Sequence, residues 1–75
     1  MIKVTILLMY IPTGELYAEG VQLLENEEQF DQLKDLMSEA VRGKLAFIKI
    51  GGKTDQFVGK EMLIKSKIIL DRCEQ

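Results

Sequence analysis

The sequence contains no histidine, no tryptophan and a single cysteine, Cys73, and these absences exclude several classes of function. Without histidine, the commonest general base and the commonest metal ligand are both missing. A zinc site built from Cys and His within one chain is excluded, and so is an internal disulfide. We therefore expect no metal site, no cofactor and no enzymatic activity, and we expect Cys73 to be an exposed bystander.

Long hydrophobic runs are also missing. The longest uninterrupted apolar run, from Ile6 to Ile11, is far shorter than the roughly 20 residues that span a bilayer. The N-terminal segment lacks the basic, apolar and small-residue regions of a signal peptide. With 75 residues, of which 47% are hydrophobic and 29% charged, the composition is that of an ordinary packed domain. These features predict one cytoplasmic domain, residues 1–75, without a membrane partner.

Alternating apolar residues predict a strand over residues 2–11. One face of this strand is apolar throughout, and the other becomes apolar from Leu7 onward. The later half of the strand should therefore be covered on both sides. Pro12 to Glu15 has the composition of a turn, and residues 16–24 form the returning strand. Gly20 lies inside that strand, where it indicates a bulge or a close backbone approach and a shift of register.

A helix is predicted between two clear end signals. Asn26 can cap its first turn, with Gln29 completing a capping box, and Gly43 suits the left-handed position after its end. Between them, apolar residues recur at steps of three and four, which predicts one face packed on a sheet. The members of this face are Phe30, Leu33, Leu36, Met37, Ala40 and Val41.

Three shorter strands follow the helix in the sequence. We predict them at residues 45–50, 56–58 and 64–70, with a turn or one helical turn at residues 59–61 and a frayed polar tail at residues 71–75. The predicted order is β-β-α-β-β(-β), where the last strand is the fifth. It indicates an α+β fold, a small, mainly antiparallel sheet of four to five strands with one amphipathic helix packed on one face.

The segment from Phe47 to Thr54 resembles a strand that enters the Gly-Lys-Thr of a phosphate-binding loop. Such a loop needs a glycine five positions before Gly52, and that position is Phe47. The following residues also look extended, whereas a phosphate-binding loop opens a helix. We interpret the segment as a hairpin turn. If the chain holds an anion, we expect the anion to bind at this turn and at lysines near it. The turn residues are Gly51, Gly52, Lys53 and Thr54, and the nearby lysines are Lys49, Lys65 and Lys67.

Charge is unevenly distributed along the chain. Residues 15–39 carry eight acidic residues and one lysine, a sum of minus seven. Residues 40–70 carry seven basic residues and two acidic ones, a sum of plus five. The acidic helix could bind a basic partner through Asp31, Asp35 and Glu39. The simpler interpretation is that these charges only keep the surface solvated.

Nucleic-acid binding is not expected. Aromatic platforms among basic residues would support it, but no arginine-rich stripe accompanies Phe47 and Phe57, and the sequence pI is about 5.0. We expect both phenylalanines to be in the core, because phenylalanine is commonly buried.

Two functional hypotheses remain for this chain. The first is a small non-enzymatic binding or regulatory protein that acts through protein contact, assembles as a homo-oligomer, and is of the size often encoded by mobile elements. Its support is the apolar second face of the first strand, because a domain of this size has limited core energy and oligomerisation is a common supplement. The alternative is an oligomer that binds a small anionic, nucleotide-like ligand between its subunits.

Overall fold

The computed structural model describes residues 1–51 and 55–74. These residues form an α+β fold whose strands all pair antiparallel, which confirms the predicted fold class. The elements are β1 (Ile2–Tyr10), β2 (Glu15–Leu24), α1 (Glu27–Val41), β3 (Phe47–Ile50), β4 (Gln56–Gly59), α2 (Lys60–Leu63) and β5 (Ser66–Glu74). The five strands divide between a three-stranded sheet, in the order β2-β1-β5, and a β3–β4 hairpin.

β1 is the central strand of the larger sheet, because it pairs with β2 on one side and with β5 on the other. Its even-numbered residues from Ile2 to Leu8 are buried, whereas the odd-numbered residues on the other face are only half-buried. Ile6 lies opposite Gly20 of β2 on one side and Leu70 of β5 on the other. This register places the core on one face of the sheet.

The β1–β2 hairpin turns at Gly14, whose φ of 73° favours glycine and whose N–H donates to the Tyr10 carbonyl over 2.8 Å. The register shifts between Leu8 and Met9, whose partners are Ala18 and Leu16. The shift predicted at Gly20 is therefore wrong in position. The strand accommodates its extra residue close to the turn, whereas Gly20 pairs regularly with Ile6.

Gly20 is instead a point of close approach between the two sheets, which is the other role predicted for it. A Cβ atom added there would lie 2.4 Å from the Gly51 carbonyl oxygen and 2.7 Å from Cγ2 of Ile50. Next to it, the N–H of Val21 donates to the Gly51 carbonyl over 3.0 Å. The hairpin therefore joins the larger sheet at β2.

The ends of α1 match the predicted signals. The N–H of Gln29 donates to the Asn26 side chain over 2.9 Å, as predicted. The Gln29 side chain accepts over 2.8 Å from the N–H of Glu25, one residue before the cap, and not from Asn26 as a capping box requires. Gly43 has the expected left-handed φ, 78°, and its N–H donates to the Ala40 carbonyl. The core face of the helix consists of Phe30, Leu33, Met37 and Ala40.

The C-terminal segment differs from the prediction. β5 continues through Glu74, so the tail that was expected to fray from residue 71 belongs to a strand. Asp71, Arg72 and Cys73 pair with residues of the first half of β1. This long-range pairing supplies hydrogen-bond partners for the backbone N–H and C=O groups of a segment that would otherwise fray. Gln75 lies outside the described residues.

One hydrophobic cluster connects both sheets and both helices. α1 crosses the core face of the three-stranded sheet, and α2 is the single helical turn anticipated at residues 59–61. Ile48, Ile50 and Val58 bring the hairpin into the same cluster, and Leu63 brings in α2. The opposite face of the three-stranded sheet is left without a covering element among the described residues.

Candidate functional site

The face of the three-stranded sheet that points away from the core carries an apolar surface. Cross-strand partners point to the same side of a sheet, so the odd-numbered residues of β1 share this face with their partners in β2 and β5. We call this surface the open face. Its apolar members are Leu7, Met9, Leu16, Val21, Leu23 and Ile69. The four on the outer strands are exposed, and the two on β1 are half-buried.

Charged residues of both signs lie among these apolar side chains. Glu19 is the partner of Leu7, Lys67 is the partner of Met9, and Asp71 is the partner of Thr5. Lys3 and Thr5 of the central strand also lie on this face, so polar and apolar side chains are interspersed across it. A protein-binding surface taken as a whole has a mixed composition of this kind. Large contiguous apolar patches are rare on monomeric proteins, and those that occur often mark interaction sites. The open face is therefore the main candidate site.

A second apolar surface lies on the β3–β4 hairpin. Phe47 and Phe57 are 59% and 68% exposed, and their rings meet edge to face with centroids 5.9 Å apart. The prediction that both phenylalanines belong to the core is wrong. Each strand of the hairpin has only one face on the core, and Ile48, Ile50 and Val58 occupy that face. The alternation of side chains then places both rings outside.

The residues predicted to hold an anion are spread over different elements. Lys49 lies on the outer face of the hairpin, where its Nζ is 3.8 Å from a carboxylate oxygen of Asp55. Gly51 lies against β2, and its carbonyl accepts the Val21 N–H. Lys67 is on the open face, and Lys65 directly precedes β5. Gly52, Lys53 and Thr54 lie outside the described residues. An anion site between subunits stays a prediction.

The acidic residues predicted to bind a partner are exposed on α1. Asp31, Asp35 and Glu39 all point away from the core. Asp31 is 3.4 Å from the Nζ of Lys34, which also lies 5.3 Å from the centre of the Phe30 ring. A surface pair of this kind contributes little to stability but offsets part of the negative charge. The acidic surface therefore has one lysine at its border, beside Asp31.

An ion pair ties the start of α1 to the end of the sheet. Arg72 donates to both carboxylate oxygens of Glu27, with a distance of 2.9 Å from one guanidinium nitrogen to Oε2. The same guanidinium lies 4.8 Å from the centre of the Phe30 ring. The hydrogen bond from Arg72, followed by the positive charges of Arg72 and Lys34, holds the pKa of Glu27 below its ordinary value. This pair links the end of β5, which is held by its pairing with β1, to the start of α1.

A groove runs between α1 and the outer side of β5. We call it the edge groove, and its volume is about 350 Å³. Met37 and Val41 line its helical side, and Ile68 and Leu70 line its strand side. Lys34, Ser38, Ser66 and Lys67 complete the lining. The amino-acid sequence gave no sign of this groove, because it depends on the angle at which α1 crosses the sheet.

Comparison with protein-family models, curated proteins and solved structures found no match to this chain. Within residues 1–51 and 55–74, no group of three or more His, Cys, Asp or Glu side chains is arranged to hold a metal ion. In the same residues, neither helix has the length and apolar character needed to cross a membrane.

Proposed function

We propose that this chain is a small non-enzymatic binding protein that acts through protein–protein contact and assembles as a homo-oligomer. The observation that supports this proposal is the open face. Four of its apolar residues, on β2 and β5, are exposed to solvent on the side of the sheet opposite the core. Covering such a surface stabilises a complex by about 25 cal/mol for each Å² of apolar area removed from water.

The shape of the open face also favours protein contact over catalysis. Sites that bind and convert small substrates are usually concave, with a few polar groups converging on the ligand. The open face is one side of a three-stranded sheet, and its polar residues lie among apolar ones instead of converging. Flat surfaces of this composition suit a second protein surface.

The acidic surface of α1 supplies the second element of the proposal. A basic partner would be attracted by Asp31, Asp35 and Glu39, because complementary charges accelerate encounter and increase specificity. Reversing the three charges together should weaken capture of such a partner and reduce its salt dependence. If every co-purifying partner were recovered unchanged, α1 would not be its binding surface.

The alternative function is binding of a small anionic, nucleotide-like ligand between subunits. A thermal-shift screen with nucleotides tests it, because a ligand that binds only the folded state must raise the melting temperature. Stabilisation that is lost in Lys49→Ala or Lys67→Ala would favour the ligand. No stabilisation at millimolar nucleotide would exclude it and leave protein contact as the function.

Native mass spectrometry of the protein purified gently from its host tests the proposed function. We expect masses above the 8.6 kDa of one chain, from further copies or a stoichiometric partner. Val21→Ser should reduce these complexes, because Val21 is 42% exposed on the open face. Leu36→Ser is the matched control, because Leu36 is 44% exposed on α1. An 8.6 kDa monomer alone, at every concentration, would contradict the proposal.

A further inference from the structure

The outer edge of β5 is open to a further strand. Among the described residues, β5 pairs with β1 on one side and with no strand on the other. The N–H of Ile11 donates to the carbonyl of Lys65 over 3.0 Å, which makes this pair a hydrogen-bonded one. Hydrogen-bonded and non-bonded pairs alternate in an antiparallel ladder. The backbone groups of Ile68 and Leu70 therefore point outward, away from β1.

The edge groove lies beside these outward groups. A strand added along β5 would extend the sheet beneath α1, where Met37 and Val41 line the groove. Its inward side chains would then be covered by the helix, as those of β5 itself are. The added strand must be apolar at the positions next to Ile68 and Leu70, because both of these residues pack against the core cluster.

β5 is itself such a strand, and its charges select one way of pairing with a copy of itself. A two-fold axis at Ile69 places Ile68 opposite Leu70 of the second copy, and both have outward backbone groups. The same axis places Lys67 opposite Asp71 of the second copy, and both residues are exposed on the open face. The two oppositely charged pairs are related by the axis, and opposite charges stabilise a cross-strand pair.

Neighbouring registers lack this match. An axis at Leu70 places Ile69 opposite the charged Asp71, and an axis at Asp71 brings two aspartates together. An axis at Ile68 places the lysine at position 67 opposite Ile69. Like charges destabilise a cross-strand pair, and a charge that faces an apolar residue lacks the stabilisation that an opposite charge would supply. Charged residues on an edge strand also disfavour indiscriminate pairing.

The geometry points to a homodimer in which two copies pair antiparallel along β5, with the two-fold axis at Ile69. This inference rests on the proposed function, in that it supplies the contact through which the chain self-associates. The two three-stranded sheets become one sheet of six strands. The two open faces then lie side by side on this sheet, with the pair of Ile69 side chains at the centre between the two Lys67–Asp71 pairs, and the joined face is available to a further protein.

A charge-swap series tests the dimer by sedimentation equilibrium. In Lys67→Asp, each of the two symmetry-related pairs places an aspartate at position 67 opposite Asp71 of the second copy. In Asp71→Lys, each pair places two lysines opposite each other. Each variant should raise the dimer dissociation constant by about tenfold. The double variant restores two opposite-charge pairs and should return the constant to within about threefold of the wild type. Within one chain the two residues have different partners, Met9 and Thr5, so a monomer offers no reason for rescue. Additive effects of the two changes would overturn the inference.

Cysteine cross-linking locates the axis directly. Residues facing each other in a non-hydrogen-bonded antiparallel pair have Cα atoms about 4.5 Å apart, within disulfide range. Ile69→Cys in a Cys73→Ser background should therefore form a disulfide-linked dimer under mild oxidation. Val21→Cys in the same background is the control, because Val21 is similarly exposed on the open face. In the proposed dimer its two copies lie five strands apart, about 24 Å, and should stay unlinked.

The results separate this inference from the proposed function. Equal cross-linking of both cysteine variants would indicate that open faces stack on each other, which overturns edge pairing and leaves protein contact standing. A second outcome would also overturn edge pairing alone. In it, the double charge-swap variant shows no rescue and Ile69→Cys forms no disulfide, while Val21→Ser still dissociates a complex. A chain that stays monomeric and retains no partner would contradict both.

Discussion

At the scale of single residues, Gly20 decides how the two sheets meet. The Gly51 carbonyl and the Ile50 side chain occupy the space that any Cβ at position 20 would need. The sequence could indicate a close approach there, because glycine inside a strand has few other uses. It could not identify the neighbour, because Gly51 is distant in the chain. It also could not place the bulge, which depends on the turn geometry at Gly14.

Gly20→Ala should lower the free energy of unfolding by about 2 kcal/mol, because backbone would have to move to admit a methyl group. Urea unfolding measures the change. Gly59→Ala is the control, because a Cβ at Gly59 meets nothing within 4 Å and its φ of −80° suits any residue. Equal effects of the two substitutions would show that the sheets do not meet at Gly20.

Glu27→Gln should lower stability at neutral pH, because it removes the carboxylate that Arg72 binds. The pKa of Glu27 is lowered in the folded chain, so the contribution of the pair is present above the ordinary pKa of a glutamate. It is lost as the pH falls through the lowered pKa. Thermal unfolding of wild type and variant should therefore differ at pH 7 and converge in acid.

Glu28→Gln is the matched control for this experiment, since it removes a neighbouring first-turn carboxylate and leaves the Arg72 pair in place. It should change the melting temperature at pH 7 less than Glu27→Gln does. A constant difference between wild type and Glu27→Gln from neutral to acidic pH would contradict the assigned role of the pair.

At the scale of elements, local patterns predicted most of the structure and failed where both faces of a strand are apolar. The ends of α1 followed from Asn26 and Gly43, which act within a few residues of themselves. The hairpin is different, because Phe47 and Ile48 are adjacent and only one can face the core. Lys49 shares the parity of Phe47. That lysine was the available signal that this side of β3 faces solvent.

Two adjacent residues of the hairpin should differ in how much their substitution destabilises the fold. Phe57→Ala should lower the free energy of unfolding by less than about 1 kcal/mol, because the ring is exposed and loses mainly its contact with Phe47. Val58→Ala removes fewer atoms but should cost roughly 1–3 kcal/mol, because Val58 is buried in the core. Chemical denaturation of the two variants compares them. A larger cost at Phe57 would mean that the hairpin presents its other face.

β5 shows the limit of local reasoning about strand length. Its residues 71–74 are polar, so composition predicted fraying. Their partners lie in β1, near the opposite end of the chain, and Arg72 also bonds to Glu27. Contacts between residues so distant in sequence are set by the whole fold, and no window along the chain contains them. The edge groove beside β5 was missed for the same reason.

At the scale of the whole molecule, each charged half of the sequence has part of its charge offset, either by a contact within the same half or by a contact with the C-terminal strand. Lys34 lies beside Asp31, Lys49 lies beside Asp55, and Arg72 binds Glu27. The uneven charge along the chain was visible in the sequence, but its distribution over the surface depends on these contacts. The acidic surface of α1 remains a proposed partner site, with Lys34 at its border beside Asp31.

The open face was anticipated in part from the sequence. The apolar second face of β1, from Leu7 onward, predicted that something covers this side of the sheet. The structure adds the contribution of β2 and β5, because it shows which of their residues pair with β1 and so share this face. The sequence did not reveal this pairing. The exposed Val21 and Ile69 extend the apolar residues of β1 across all three strands of the sheet. The central claim is that this surface is covered in the working protein.

Oxidative footprinting of methionine tests that claim most directly. Met9 lies on the open face and Met62 lies in α2, and both are half-buried in one chain, so Met62 is an internal control. Peroxide converts accessible methionine to the sulfoxide, which mass spectrometry quantifies at each position. In the complex isolated from the host, Met9 should oxidise several-fold more slowly than in the diluted chain, with Met62 unchanged. Equal oxidation of Met9 in both samples would contradict the claim that the open face is a protein-contact surface.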